Sequence, residues 1–91
     1  MKKYTDNISF GLAIEAMKKG MKCRRKGWNG KEQHIELASN ISYVSSSGAI
    51  VNADHEAIGN QAIAFCGTSG VQLGWLASQA DMLADDWEII E

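Results

Sequence analysis

The apolar positions change period along the chain, and the first clear pattern is helical. Phe10, Ala13, Ile14 and Met17 recur at the spacing of one helix face. Ser9 is a favourable N-cap, Lys18 and Lys19 suit the negative end of the helix dipole, and Gly20 is placed to end the helix. The pattern predicts a helix over 9–19 whose stripe packs into the core.

The next segment runs Met21 to Trp28, then Asn29-Gly30, then Lys31 to Leu37. Asn-Gly tolerates the positive φ values of a two-residue type I′ turn, so these residues predict a hairpin. That loop length sets Trp28 opposite Lys31, Lys26 opposite Gln33 and Arg24 opposite Ile35. Alternation then places Trp28 with Arg24, Lys26, Ile35 and Leu37 on one face, and Cys23, Arg25, His34 and Glu36 on the other. Neither face is cleanly apolar, which leaves two readings: a register other than this one, or a sheet bordering a wet pocket.

Residues 40–60 carry the least regular pattern, with a turn at Ser45-Ser46-Ser47-Gly48, a short apolar piece at Ala49-Ile50-Val51 and a polar loop from Asn52 to Asn60. Ala62–Cys66 and Val71–Leu76 predict two strands joined by a turn at Gly67-Thr68-Ser69-Gly70. Ser78-Gln79-Ala80-Asp81 has the capping-box signature and opens a short helix through Ala84. Trp87-Glu88-Ile89-Ile90 reads as a closing strand, and Trp75 and Trp87 as core anchors whose indole N–H finds Ser78 or Asp81. With no proline and no long parallel crossover, the expected fold is α+β. It is a mostly antiparallel sheet with one N-terminal helix packed on it and a short helix before the last strand, forming a single domain over residues 1–91.

Composition narrows the function classes. A core of this size gains from disulfides, metals or self-association. Cys23 and Cys66 form no CxxC, and His34 and His55 sit in no familiar ligand spacing, so no metal site and no cofactor is expected. Without a secretory signal the two thiols are expected reduced and buried, leaving self-association as the support. No apolar run reaches the roughly 20 residues of a membrane span, so no membrane partner is expected.

Charge is strongly segregated. All nine Lys and Arg residues lie between Lys2 and Lys31 with only two acids, a net +7, whereas residues 32–91 carry nine acids and no Lys or Arg, a net −9. Either the two parts neutralise each other on folding, or the first third presents a basic face to phosphates. A nucleic-acid partner is not expected, because the acidic remainder repels a polyanion.

Catalytic groups are sparse. His34 and His55 lack a nucleophile motif, Asp85-Asp86 reads as solvation of a turn, and no Walker-type loop is present, so no catalytic residue is assigned. Binding chemistry is richer. Arg24, Arg25 and Lys26 offer charge-assisted hydrogen bonds to phosphate, Trp28 a flat face for a base, and Asn29 and Gly30 an exposed turn. The alternative is an edge hairpin whose indole plugs the core and whose cations keep the edge soluble. Asp81 is in the first instance a capping residue.

Two blocks carry a family resemblance. Gly74-Trp75-Leu76-Ala77-Ser78-Gln79-Ala80-Asp81-Met82-Leu83-Ala84-Asp85-Asp86-Trp87 resembles the C-terminal signature of the Thoeris anti-defense 2 family of small phage and prophage proteins, once catalogued as a domain of unknown function. The helix from Ser9-Phe10-Gly11 to Lys19-Gly20, followed by Arg25-Lys26-Gly27-Trp28-Asn29-Gly30, is similar too, while residues 38–61 carry no part of the likeness. The resemblance implies a non-enzymatic sponge in the host bacterial cytoplasm that sequesters a nucleotide second messenger of bacterial immunity. The messenger would be a cyclic ADP-ribose isomer, with cyclic dinucleotides reported for some members. It also implies a homo-oligomer, a tetramer built from dimers with ligand between protomers. On that reading Trp28 is the base platform, Arg24, Arg25 or Lys26 meets phosphate, Asn29 and Gly30 shape the pocket, and Ser78 and Asp81 contact ribose or adenine. The rival readings are a messenger-degrading enzyme and an inhibitor that binds a host protein directly.

Overall fold

The computed structural model describes residues 3–28, 32–56 and 61–91. Its first helix, α1 (Phe10–Lys18), is capped by the Ser9 hydroxyl, which accepts the Leu12 amide at 3.2 Å. Gly20, at φ +88°, turns the chain out of the helix in a conformation that costs a residue with a Cβ more. Ala13, Ala16 and Met17 are buried and Phe10 and Ile14 half-buried, so the apolar stripe is the packing face.

The main sheet has six strands: β1 (Lys3–Ile8), β2 (Lys22–Arg25), β3 (His34–Ala38), β6 (Ala62–Gly67), β7 (Gly70–Leu73) and β8 (Trp87–Ile90). Their spatial order is β1-β8-β2-β3-β6-β7 and every pairing is antiparallel. A two-stranded hairpin, β4 (Tyr43–Val44) with β5 (Ile50–Val51), and a second helix, α2 (Gln79–Leu83), complete the described elements. The protein is a mixed α and β structure with an antiparallel sheet and two helices.

Three features correct the sequence reading. First, β1 was not expected, because its residues are polar and mostly exposed, as suits an edge strand. β1 and β2 both run antiparallel to β8, so they are parallel to each other and are joined by α1. The crossover thought absent is therefore present, as a split β-α-β unit with β8 in the gap. Second, the turn at residues 45–48 and the apolar piece after it belong to a hairpin that was not expected: Tyr43 pairs with Val51 and Val44 with Ile50 around the serine turn. Third, the hairpin register is displaced by one residue. Cys23, not Arg24, lies opposite Ile35. A one-residue slip exchanges the faces of a strand, and this one buries Cys23 and Ile35 together beneath α1, both at 0% exposure, where the expected register would have set an arginine. Chain reversal also begins earlier than Asn29-Gly30, because the Trp28 amide donates to the Arg25 carbonyl at 3.2 Å across Gly27 at φ +91°. Asn29 and Gly30, with the predicted turn and the Trp28–Lys31 pair, lie outside the described residues.

Other elements agree closely with expectation. Ser78 and Asp81 form the reciprocal capping box, although α2 stops at Leu83 and not Ala84. β7 ends at Leu73 and not Leu76, because Gly74 turns at φ +81° and the Gly74 and Trp75 amides donate to the Ile63 carbonyl. The core lies between α1 and one face of the sheet, where Ala13, Met17, Cys23, Ile35 and Trp87 meet. Burial pushes the Cys23 thiol up to about 11, and its S–H donates to the Ala13 carbonyl at 3.5 Å. Cys23 and Cys66 are both free, but Cys66 is only half-buried and not buried as expected, because alternation along paired strands sets it on the sheet face opposite Cys23 and the core.

Because α1 covers the core, losing its cap weakens the whole fold. Ser9→Ala is expected to cost about 1 kcal/mol. In urea denaturation that loss appears as a lower midpoint with an unchanged slope.

Candidate functional site

The residues singled out in the two sequence blocks converge at the end of β2 and β8. Arg25, the last residue of β2, lies opposite Trp87. Its guanidinium grips Asp86 through two bonds, Nε to Oδ1 at 2.9 Å and Nη2 to Oδ2 at 3.3 Å, and donates from Nη1 to Asp81 Oδ1 at 3.1 Å. This forked arrangement is the strong form of a carboxylate contact. Asp81 Oδ2 in turn accepts from the Ser78 hydroxyl at 2.8 Å and the Ser78 amide at 3.1 Å. One guanidinium therefore ties the first third of the chain to the cap of α2. Asp86, read from sequence as solvating a turn, is the principal partner of Arg25.

An aromatic cluster lies beside this network. Trp28 meets Phe65 at 5.5 Å, Trp87 at 5.5 Å and Trp75 at 6.1 Å between ring centroids, each edge to face. Phe10 adds contacts to Trp75 at 6.4 Å and Trp87 at 5.0 Å. Trp87 is fully buried, whereas Trp28 and Trp75 are half-buried. The Trp87 indole N–H donates to the Asp81 backbone carbonyl at 2.9 Å, the partner the sequence suggested. Trp28 is thus neither a free platform nor a sealed core residue; it is the outer wall of the cluster. Phe10 and Phe65 were not identified as members of this cluster. Their aromatic side chains were the available signal, but only the pairing of β6 and the packing of α1 on the sheet bring them together.

The cations separate. Arg24 projects to the other face of the sheet, where Nε lies 3.0 Å from Glu88 Oε2, a carboxylate with only 6% side-chain exposure. Lys26 is exposed at the rim, with Nζ donating to Asn7 Oδ1 at 3.1 Å and its amide to the Asp86 carbonyl. For Arg24 and Arg25, the opposite charges of the two chain segments neutralise each other locally. The structure brings together Arg25, Trp28, Ser78 and Asp81, with Lys26 adjoining, and sends Arg24 elsewhere. A separate cleft of about 340 Å³ between α1, β1 and β8 is lined mainly by aliphatic groups, among them Ile8, Leu12, Met21 and Ile89. Its polar lining is confined to Glu15 and Lys19, and it contains none of the residues assigned to ligand binding.

The carboxylates respond to this setting. Burial raises the Asp81 carboxyl, but hydrogen bonds from Ser78 and Arg25 outweigh it and leave it below the ordinary aspartate value. The Arg25 hydrogen bonds hold Asp86 below that value against a smaller burial effect. Groups depressed in the folded state stabilise it above their unfolded pKa, about 3.9, and lose that contribution as pH falls through the lower folded values. The melting temperature is therefore expected to fall below about pH 4, and less steeply in Asp86→Asn, by thermal denaturation monitored across pH.

Known proteins match the chain over nearly its whole length. A sequence model of the Thoeris anti-defense 2-like domain matches residues 8–90, which span both converging blocks. The chain is also 37% identical over 86 residues to the protein named Thoeris anti-defense 2 from Bacillus phage SP01, covering 91% of this chain and 94% of that protein. On both grounds the chain belongs to the Thoeris anti-defense 2-like domain family.

Proposed function

We propose that this protein inhibits Thoeris immunity in the cytoplasm of a bacterial host by binding a cyclic nucleotide messenger, a cyclic ADP-ribose isomer, and holding it intact. Family membership supports the anti-defense role. The observation that carries the binding reading is the meeting of the two blocks. Half-buried Trp28 and Trp75 lie within 6.1 Å of one another, beside the Arg25–Asp81–Ser78 network and the rim cation Lys26.

A ribose- and phosphate-bearing purine calls for three things: a π face, polar edges and positive charge. Trp28 supplies the first, with base stacking worth about 1–3 kcal/mol. Ser78 and Asp81 supply the second, and Asn29 and Gly30 are the further residues assigned to shaping the pocket. For the third, Arg24 and Arg25 are already engaged by carboxylates, so Lys26 is the cation best placed to meet phosphate. Arg25 then acts by holding the α2 cap against the turn.

Self-association fits the surface. Leu76 is 89% exposed, Leu83 77% and Val71 70%, and a partner surface would shield them. A homotetramer with ligand between protomers would cover such residues and close the open side of the tryptophan wall. A sponge works by mass action, through affinity and copy number, and needs no transition-state chemistry.

Incubation with a cyclic ADP-ribose isomer, removal of free ligand and heat denaturation test this directly. The expected product is intact ligand, identified by mass. Recovery of a linear or cleaved product would establish a messenger-degrading enzyme instead. No retained nucleotide, together with a stable host-protein complex, would establish a direct protein inhibitor.

A further inference from the structure

We propose that His34, Glu36 and Cys66 form a binding site for a zinc-class divalent metal ion that clips β3 to β6. The site lies on the sheet face opposite α1 and uses none of the residues of the proposed nucleotide site, so it stands independently of that function.

Its construction follows from strand pairing. His34 lies directly opposite Cys66 across the β3–β6 ladder, and Glu36 follows two residues along β3 on the same face. Their ligand atoms all lie within 4.8 Å of one another. His34 Nε2 is 3.5 Å from Glu36 Oε1, and Cys66 Sγ is 3.2 Å from the same oxygen. Bonds of about 2.0–2.3 Å to N, O and S in a tetrahedron put ligand atoms about 3.3–3.7 Å apart. Two edges are thus close to their final length, and the third closes with a movement of about 1 Å or less.

The second observation is the imidazole itself. The His34 side chain is 9% exposed, and Nε2 has no hydrogen-bond partner among the described residues; 3.5 Å to Glu36 is beyond good hydrogen-bond range. Its other nitrogen, Nδ1, lies 2.8 Å from the Glu32 carbonyl, an acceptor, so Nδ1 carries a proton, and in the neutral imidazole that a metal requires Nε2 faces the cluster with its lone pair. A backbone carbonyl fixing one ring nitrogen while the other faces the metal is the usual support of a histidine ligand. A buried lone pair without a donor is costly, and a metal ion satisfies it.

The ligand set selects the ion. One thiolate, one imidazole and one carboxylate suit zinc better than magnesium or calcium, which take oxygen ligands. Without metal, the Cys66 S–H donates to Glu36, and burial together with that carboxylate holds the thiol up. Binding therefore replaces the S–H bond by a sulfur–metal bond and releases one proton to solvent. Water takes the fourth position.

Cobalt titration of the reduced, chelator-treated full-length protein tests the site. One equivalent of Co²⁺ per chain is expected to give a thiolate-to-cobalt charge-transfer band with intense visible bands of tetrahedral cobalt, both bleached by Zn²⁺. Cys66→Ser should abolish the charge-transfer band, Glu36→Gln should weaken affinity at least about tenfold, and Cys23→Ala should leave the spectrum unchanged. Zinc should also raise the melting temperature of the unmodified protein, and a chelator should reverse the rise. The proposal is overturned if no charge-transfer band forms at stoichiometric cobalt, if the band survives in Cys66→Ser or vanishes in folded Cys23→Ala, or if zinc leaves the melting temperature unmoved.

Discussion

The burial of one indole organises this fold. Trp87 has no exposed surface and lies in the strand that pairs with both β1 and β2, opposite Ile8 on one side and Arg25 on the other. Its ring contacts Phe10, Trp28 and Trp75, so α1, the turn after β2 and the approach to α2 all pack on it. An indole buried that deeply needs a partner for its N–H, and the Asp81 carbonyl provides one. The position of α2 is therefore coupled to the core, although its own residues are not fully buried. A five-residue helix has little stability of its own. Here the capping box, the Trp87 hydrogen bond and the Arg25 ion pairs hold it from three sides.

The same arrangement decides how the segregated charge is used. A strongly basic first third suggests an open anion site, yet Arg24 and Arg25 each meet a carboxylate from the acidic remainder. Arg25 is enclosed by two aspartates, and its guanidinium is correspondingly harder to deprotonate. Charge spent in this way positions elements and leaves less for a ligand. Under the proposed function, recognition of a phosphorylated purine would rest on the tryptophan wall, the polar cap of α2 and the rim at Lys26.

Much of this was legible in local sequence. Ser9 with its apolar stripe, the Ser78–Asp81 box, the Ala62–Cys66 strand and the closing Trp87–Ile90 strand each depend on residues a few positions apart, and the structure forms all of them. What escaped was non-local. β1 has no apolar alternation to announce it, since its partner β8 supplies the burial from the far end of the chain. The hairpin register depended on a turn chosen from Asn29-Gly30, whereas Gly27 bends the chain first and the shared burial of Cys23 and Ile35 fixes the pairing. For the site, the sequence named Arg25, Trp28, Ser78 and Asp81 but not Asp86 or Phe65, whose roles exist only once β8 and β6 are in place. His34 and Glu36 shared a face in the sequence reading, but Cys66 looked unrelated to them for the same reason: 30 residues separate Glu36 from Cys66 until the strands pair.

The central claim is that the half-buried indoles at the junction of the two blocks form the wall against which a cyclic nucleotide is held. Its most direct test follows the three indole N–H resonances of the protein by NMR during titration with a cyclic ADP-ribose isomer. The account predicts large saturable shifts for Trp28 and Trp75, and little change for Trp87, whose N–H stays bonded inside the core. Binding that leaves the Trp28 and Trp75 signals unmoved would contradict it.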